Sequence, residues 1–183
     1  KQAFEGIEAG ITSSTHTYNA MRGIHHREVG TLGAVMISDD VYCELIGDLV
    51  HVSDDAIRLL FKCKGKDHVI AITDAIESKH LPDGKYKLGG QDVIVKGDEA
   101  RLENGTLAGS TLYMNKGLKN IKDVMGLSLE ETVDLATKNP AINLNVYDKK
   151  GSIALLKDAD FTVINEDFDV FLTVNRGNII YKR

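Results

Sequence analysis

Three polar side chains stand just after three apolar, β-branched runs of the sequence. They are His16 after residues 11–15, His51 after residues 41–46, and Asp74 after residues 68–73. A neutral imidazole can ligate a divalent metal ion, and a carboxylate near metal-activated water can act as general base and then return the proton to a leaving amine. Each histidine alone is more often a packed or surface residue. Together, after three successive predicted strands, the three residues indicate a hydrolytic site.

Helical patterns separate these runs. Residues 1–10 have apolar positions at helical spacing and end in a glycine suited to a helix C-cap. Ser53 precedes an amphipathic segment with acidic residues in its first turn, and Lys62, Lys64 and Gly65 end it. Alternating strands and helices predict a parallel sheet with crossover helices, and in α/β barrels the chemistry lies where strands end.

The pattern changes after the third strand. Residues 81–107 contain Gly and Asn-Gly turn signals between short alternating runs, which predicts inserted β-hairpins. Helical periodicity returns over residues 110–125, and Ser128 with Glu131 predicts a capping box for a helix that reaches Pro140. Short strands are predicted at 151–153, 160–164, 170–174 and 178–181. We therefore expect a barrel part at 1–147 and a small β-domain at 148–183.

Composition bounds the class of protein. At 183 residues, the chain is shorter than a complete α/β barrel of roughly 250 residues. A net charge of −5 without a Lys/Arg cluster argues against a nucleic-acid partner. No apolar stretch is long enough to span a bilayer. Cys43 and Cys63 lie in apolar surroundings without metal-ligand spacing, so we expect reduced core thiols in a soluble, cytoplasmic protein.

Four short blocks resemble a known family when taken in order. They are THTYNAM at 15–21, GDLVH at 47–51, ITDA at 72–75 and LAGS at 107–110. Their order is similar to that in N-acetylglucosamine-6-phosphate deacetylases, and residues 139–141 and 151–161 resemble the C-terminus of amidohydrolases in general. The resemblance spans essentially the whole chain. It implies an α/β fold: the C-terminal portion of a (β/α)8 TIM-type barrel plus strands of a small β-sandwich domain.

The resemblance also implies roles for individual residues. His16 would be a metal ligand, and Asp74 the catalytic carboxylate that activates water for attack on the acetamide carbonyl. His51 would hydrogen-bond the substrate and help to polarise that carbonyl. The remaining substrate-binding residues would be Asn19 and Ala20 at the phosphate end, Arg27 as a phosphate contact, and Leu107, Ala108 and Gly109 in a loop that closes over the sugar. Arg27 would reach into a neighbouring subunit, which implies a homodimer; from sequence alone a solvated loop arginine is equally plausible.

The resemblance also implies what this sequence lacks. Two further ligands of a divalent metal, zinc in the first place and iron or another ion as the alternative, would lie in an N-terminal segment of the same protein. We therefore expect residues 1–183 alone to bind metal weakly. Three positions depart from the family pattern: Leu49 and Leu156 each stand where the family favours glycine, and Thr17 replaces an apolar residue.

Three functions stay open at this point. The first is hydrolysis of N-acetylglucosamine 6-phosphate to glucosamine 6-phosphate and acetate in amino-sugar catabolism. Another amidohydrolase activity, of the dihydroorotase or aminoacylase type, would not require the blocks at 15–21 and 107–110 together. A non-enzymatic phosphosugar-binding or assembly module would have no need for Asp74.

Overall fold

The structure, a computed structural model, describes all residues from 1 to 183. Its first part alternates helices and strands, as predicted. The elements are α1 (Gln2–Glu8), β1 (Ser13–Ser14), α2 (Gly30–Ile37), β2 (Tyr42–Ile46), α3 (Asp54–Lys64) and β3 (Val69–Ile72). The strands form a parallel sheet in the order β1-β2-β3, with Ser14 opposite Cys43 and Cys43 opposite Val69. β1 is only two residues long, shorter than the predicted run of 11–15.

The main core lies between this sheet and its helices. Cys43 and Leu45 of β2, Val69 of β3, and Ile57 and Leu60 of α3 are all completely buried. The predicted cap of α3 is present, because the Ser53 hydroxyl accepts a hydrogen bond from the Ala56 amide. A strand buried on both faces is the expected environment for such continuous apolar runs.

One cysteine prediction is wrong. Cys43 is buried, but Cys63 is exposed. The next residue along α3, Lys64, is buried instead, and its ammonium group donates a hydrogen bond to the Ser38 carbonyl. The apolar stem of Lys64 therefore occupies the inward position in the last turn of α3, and the thiol of Cys63 faces outward.

A second sheet follows β3 and contains the predicted hairpins. Its strands are β4 (Gly84–Leu88), β5 (Gln91–Lys96), β6 (Glu99–Leu102) and β7 (Leu107–Ser110), antiparallel in that order. Val93, Val95, Ala100 and Ala108 form its own small core together with Ile76. The insertion thus continues three residues beyond the predicted end at 107, because 107–110 pair with β6 as a strand.

Three helices come next: α4 (Met114–Met125), α5 (Leu129–Asp134) and α6 (Lys138–Asn143). The predicted capping box of Ser128 and Glu131 is present in both directions. The predicted continuous helix to Pro140 is wrong, since α5 ends at Asp134. Pro140 lies in the first turn of α6, where its missing amide hydrogen is tolerated, but in a continuous helix it could not donate to the Ala136 carbonyl.

The C-terminal strands β8 (Phe161–Ile164), β9 (Val170–Asn175) and β10 (Asn178–Lys182) form an antiparallel sheet with β9 in the centre. The strand predicted at 151–153 is absent: Gly151 has a φ of 82° and the segment up to Asp160 is a loop. Lys150 holds this loop through ion pairs with Asp158 and Asp160. Among the helices of the chain, none has the length and apolar character that crossing a membrane requires.

Candidate active site

The three predicted site residues follow the same ends of three neighbouring parallel strands. β1 ends at Ser14, β2 at Ile46 and β3 at Ile72. His16 and Asp74 each lie two residues beyond their strand, and His51 closes a short turn that begins just after β2. Neighbouring strands are about 4.8 Å apart, so parallel pairing brings the three chain segments to one edge of the sheet.

Backbone strain is concentrated in these segments. Ten non-glycine residues of the chain have positive φ, and five of them lie directly after β1, β2 or β3. These are His16 at 31°, Tyr18 at 79°, Ala20 at 59°, Leu49 at 63° and Asp74 at 50°. Non-glycine residues adopt this region at a cost of about 1–3 kcal/mol, and such strain clusters at active sites and ligand clamps.

The segment of His16 is anchored to β2. The His16 amide donates to Glu44 Oε2 at 3.3 Å, and the Thr17 amide donates to the Glu44 carbonyl at 2.8 Å. Thr17, one of the departures from the family pattern, is fully buried, and its hydroxyl is satisfied by the carbonyl and hydroxyl of Ser14. The ring nitrogen Nδ1 of His16 is buried and has no hydrogen-bond partner. An unpaired buried imidazole nitrogen fits a ligand position that needs a further group.

A complete metal centre does not form within these 183 residues. No group of three or more His, Cys, Asp or Glu side chains is placed to hold one ion. A catalytic zinc site uses three protein ligands. Within this chain His16, with its unpaired Nδ1, is the residue that fits a ligand position.

His51 is held by a residue that the sequence analysis did not single out. Asp48 Oδ2 lies 2.6 Å from His51 Nδ1, and Asp48 Oδ1 accepts hydrogen bonds from the amides of Val50 at 2.9 Å and His51 at 2.8 Å. Burial raises the pKa of the Asp48 carboxyl, but hydrogen bonds from the His51 ring and from both amides outweigh it, and the pKa lies below its usual value. An aspartate three residues before a histidine was a usable signal for this pair.

Asp74 is exposed, and strand β7 holds its backbone. The Ser110 amide donates to the Asp74 carbonyl at 2.8 Å, the Ile76 amide donates to the Ser110 carbonyl at 2.9 Å, and the Ser110 hydroxyl donates to the Thr73 carbonyl. A Cβ added to Gly109, whose φ is 65°, would lie 2.5 Å from Ile76 Cγ2 and 3.0 Å from the Asp74 carbonyl oxygen. β7 therefore fixes the turn of Asp74.

This arrangement corrects the predicted loop at 107–110. Leu107, Ala108 and Gly109 are strand residues, β7 extends through Ser110, and α4 begins after Tyr113. The alternation of β6 and β7 is too short for sequence periodicity to distinguish a strand from a loop.

The residues expected at the phosphate end are only partly brought to the strand ends. Asn19 is half-buried, and its backbone amide donates to the His16 carbonyl at 2.9 Å. Ala20, next to it, is exposed. Arg27 is exposed in the loop before α2, where Nη1 lies 2.6 Å from His26 Nε2. No hydrogen bond or ion pair within the chain joins Arg27 to the strand ends. His25 and His26 are exposed, as expected from sequence.

A separate cavity of about 810 Å³ lies beside the inserted hairpin. It is lined mainly by charged residues of β5, β6 and their turns, with Val50 on the other side, and none of the predicted site residues lines it. The strand ends, where the strained backbone and the Asp48–His51 pair are, remain the candidate site.

Comparisons with known proteins identify the class of hydrolase to which this fold and site belong. The amidohydrolase family model matches residues 1–180, and the chain belongs to this family. It is 41% identical over 177 residues to N-acetylglucosamine-6-phosphate deacetylase of Bacillus subtilis. The matched region covers 97% of this chain and 45% of that protein. The predicted resemblance is confirmed.

Two further relatives extend the comparison. The crystal structure of N-acetylglucosamine-6-phosphate deacetylase from Thermotoga maritima matches with a TM-score of 0.94 and 36% identity, over 98% of this chain and 49% of that one. N-acetylgalactosamine-6-phosphate deacetylase of Escherichia coli O157:H7 is 34% identical over 170 residues, 93% of this chain and 45% of that protein. This chain thus spans about half the length of the relatives it matches.

Proposed function

We propose that this chain is part of an enzyme that hydrolyses N-acetylglucosamine 6-phosphate to glucosamine 6-phosphate and acetate, in amino-sugar catabolism. The observation that carries the proposal is the arrangement of His16, the Asp48–His51 pair and Asp74 after the same ends of three neighbouring parallel strands. The names of the relatives support the substrate class.

In this proposal Asp74 moves the proton. Its carboxylate is exposed and its backbone is fixed by β7, so the side chain can reach a bound water molecule. Asp74 takes a proton from the water as it attacks the acetamide carbonyl carbon, and then gives that proton to the sugar nitrogen as the carbon–nitrogen bond breaks. General acid–base catalysis of this kind typically contributes about 10²–10⁴-fold.

His16 is the proposed metal ligand of this chain, with zinc as the first candidate ion and iron or another divalent ion as the alternative. When bound, such an ion lowers the pKa of water and polarises the carbonyl oxygen. The buried, unpaired Nδ1 of His16 supports a ligand role. The remaining ligands belong, in this proposal, to an N-terminal segment of the same protein.

The sugar phosphate would contact several other residues. Asn19 and the backbone of Ala20 face the phosphate, and Arg27, exposed and without an acidic partner in the chain, adds charge-assisted hydrogen bonds from a second subunit of a homodimer. His51 hydrogen-bonds the acetamide or sugar. Leu107, Ala108 and Gly109 contact the sugar from β7.

The wider architecture belongs to the proposal as well. We assign the parallel sheet and the helices up to residue 147 to a (β/α)8 barrel, and residues 148–183 to a small β-sandwich domain that further strands complete. Exposed apolar side chains of the C-terminal sheet, with Ile179 62% and Ile180 66% exposed, support the second assignment. The cytoplasm is the proposed location of the enzyme.

N-acetylgalactosamine 6-phosphate is a second candidate substrate, because a relative at 34% identity carries that activity in its name. The two sugars differ only in the configuration of one hydroxyl group. The residue or residues that contact that hydroxyl would decide between them.

The test is acetate release from each sugar phosphate with added Zn²⁺, measured for residues 1–183 and for the complete product of the gene. We expect activity in the complete product and a loss of about 10²–10⁴-fold for Asp74→Asn, the range for general acid–base groups. Asp55→Asn, on the exposed first turn of α3, is the matched control and should keep normal activity. Normal deacetylation by Asp74→Asn would overturn the mechanism.

A further inference from the structure

The Asp48–His51 pair is the most enclosed charged contact of the molecule. The two side chains are 5% and 6% exposed, whereas both partners of every lysine or arginine ion pair are at least 26% exposed. Both carboxylate oxygens are engaged: Oδ1 accepts hydrogen bonds from the amides of Val50 and His51, and Oδ2 lies 2.6 Å from Nδ1 of the His51 ring. Such a pair fixes the orientation of both groups.

The contact also determines where the ring proton lies. A carboxylate has only lone pairs to offer, so the ring nitrogen that faces it must carry a hydrogen atom. Nδ1 of His51 is therefore the protonated nitrogen. The other ring nitrogen, Nε2, makes no hydrogen bond within the chain and is not among the buried polar atoms that lack a partner, which are His16 Nδ1, Ser78 Oγ and Asn143 Oδ1. Nε2 is thus the atom left open to a ligand.

We propose that Asp48 is a positioning residue, which holds His51 in the Nδ1–H form and so makes Nε2 the substrate-facing atom. This inference rests on the proposed role of His51 in substrate binding. A neutral ring in this form accepts a hydrogen bond at Nε2, from a sugar hydroxyl or an amide N–H of the substrate. It donates to a carbonyl oxygen only when the ring is protonated.

A purely structural role for Asp48 makes a different prediction. The turn from Asp48 to His51 is an Asx-type turn, and an asparagine closes such a turn as well as an aspartate does. If Asp48 served only the turn, Asp48→Asn would leave the ring unchanged.

The positioning role predicts that Asp48→Asn moves the proton. The amide oxygen of asparagine must stay with the two backbone amides, since a donor there would face two donors. The amide nitrogen then faces Nδ1 and donates to it, so the ring proton must shift to Nε2. The substitution keeps the size and shape of residue 48 and reverses the tautomer of His51.

The experiment is ¹⁵N NMR of the histidine rings in this chain at about pH 8.5, where an ordinary histidine is neutral. His51 is assigned by its loss in His51→Gln. We expect Nδ1 to carry the proton in the wild type, Nε2 to carry it in Asp48→Asn, and no change in Asp123→Asn, an exposed control on α4. Protonation at Nε2 in the wild type, or an unchanged tautomer in a folded Asp48→Asn variant, would overturn the proposal. The wild-type spectrum alone decides if that variant does not fold.

A second arm links the tautomer to catalysis. In the complete gene product, Asp48→Asn should lower kcat/KM for the amino-sugar phosphate by at least about tenfold, as for a group that orients a functional histidine, while the control variant keeps wild-type values. Unchanged kcat/KM together with a reversed tautomer would overturn the substrate-facing role of Nε2. Absence of deacetylase activity in the wild type would instead refute the proposed function and leave the NMR result standing.

Discussion

The chain contains two three-stranded sheets of similar composition and opposite burial. In the parallel sheet, most residues of β2 and β3 are buried beneath α2, α3 and α4, and none is exposed. In the C-terminal antiparallel sheet, every residue of β10 is exposed, and Val174 of β9 is the only buried strand residue. The candidate chemistry follows the buried sheet. Strained backbone persists only where surrounding structure fixes it, so the packed strands can hold His16 and Asp74 in left-handed conformations.

Alanine substitutions at two glycines separate the cost of a steric clash from the cost of a left-handed backbone in the two regions. Gly109 and Gly177 both have positive φ, 65° and 78°. A Cβ at Gly177 would have no neighbour within 4 Å, whereas one at Gly109 would lie 2.5 Å from Ile76 Cγ2. Gly177→Ala should cost about 1–2 kcal/mol of unfolding free energy, for the left-handed backbone alone. Gly109→Ala should cost about 2–5 kcal/mol, because overpacking adds about 1–3 kcal/mol to the same backbone cost.

Urea denaturation of the two variants and the wild type measures the difference. Equal losses would mean that the contact between β7 and the Asp74 segment yields without cost. The two sheets would then be more alike in rigidity than their burial indicates.

The sequence predicted the elements with a strong local signal. The apolar runs at 41–46 and 68–73, the cap at Ser53 and the capping box at Ser128 each rest on neighbouring residues, and all are present. The error at 107–110 came from a non-local effect. Whether 107–110 is a strand depends on pairing with β6 and on the contacts of Ser110 with residues 73 and 74, which periodicity does not encode.

The site residues, too, were predicted where chain order alone locates them and missed where a turn decides the contact. His16, His51 and Asp74 were located at strand ends from chain order, because parallel strands end at one edge. Asp48 was missed as the partner of His51, although it was part of a quoted block. Its role depends on a turn that brings residue 48 back to the ring of residue 51, and no apolar pattern reports such a turn.

Two aspartates with lowered pKa give a pH and salt comparison of the regions. Asp160 in the C-terminal part has its pKa lowered by hydrogen bonds from Lys150 and from the Arg176 amide, and Asp48 by its hydrogen bonds from His51 and Val50 against the effect of burial. A carboxylate with a lowered pKa stabilises the fold fully above the unfolded value of about 3.9, and this contribution is lost as the pH falls through the lower folded pKa.

Asp48→Asn should lower the unfolding free energy by about 1.5–3 kcal/mol at pH 7, the scale of one hydrogen bond to a charged group. The difference from the wild type should narrow below about pH 4. Adding about 0.5 M salt should leave this loss nearly unchanged, because the pair is enclosed. Asp160→Asn should have a smaller effect that salt largely removes. If salt reduced the stability loss of both variants equally, the proposed difference in solvent screening between Asp48 and Asp160 would be wrong.

The smallest expected effects come from two leucines at positions where the sequence resemblance implies glycine. Leu49 has a φ of 63° and is 43% exposed, while Leu156 has a φ of 69° and is fully exposed. Glycine relieves about 1–2 kcal/mol of left-handed strain and costs about 0.5–1 kcal/mol in entropy, so Leu156→Gly should stabilise the fold by about 0.5–1 kcal/mol. Leu49→Gly also loses about 1 kcal/mol of side-chain burial and should be close to neutral.

The corresponding alanine variants remove the side chain and keep the backbone strain. In urea denaturation, the unfolding free energy of each glycine variant should therefore exceed that of the alanine variant by about 0.5–1 kcal/mol. If glycine were more stabilising than alanine at residue 156 but not at residue 49, the positive φ of Leu49 would carry no energetic cost. The backbone strain in the turn between Asp48 and His51 would then be smaller than its φ angle indicates.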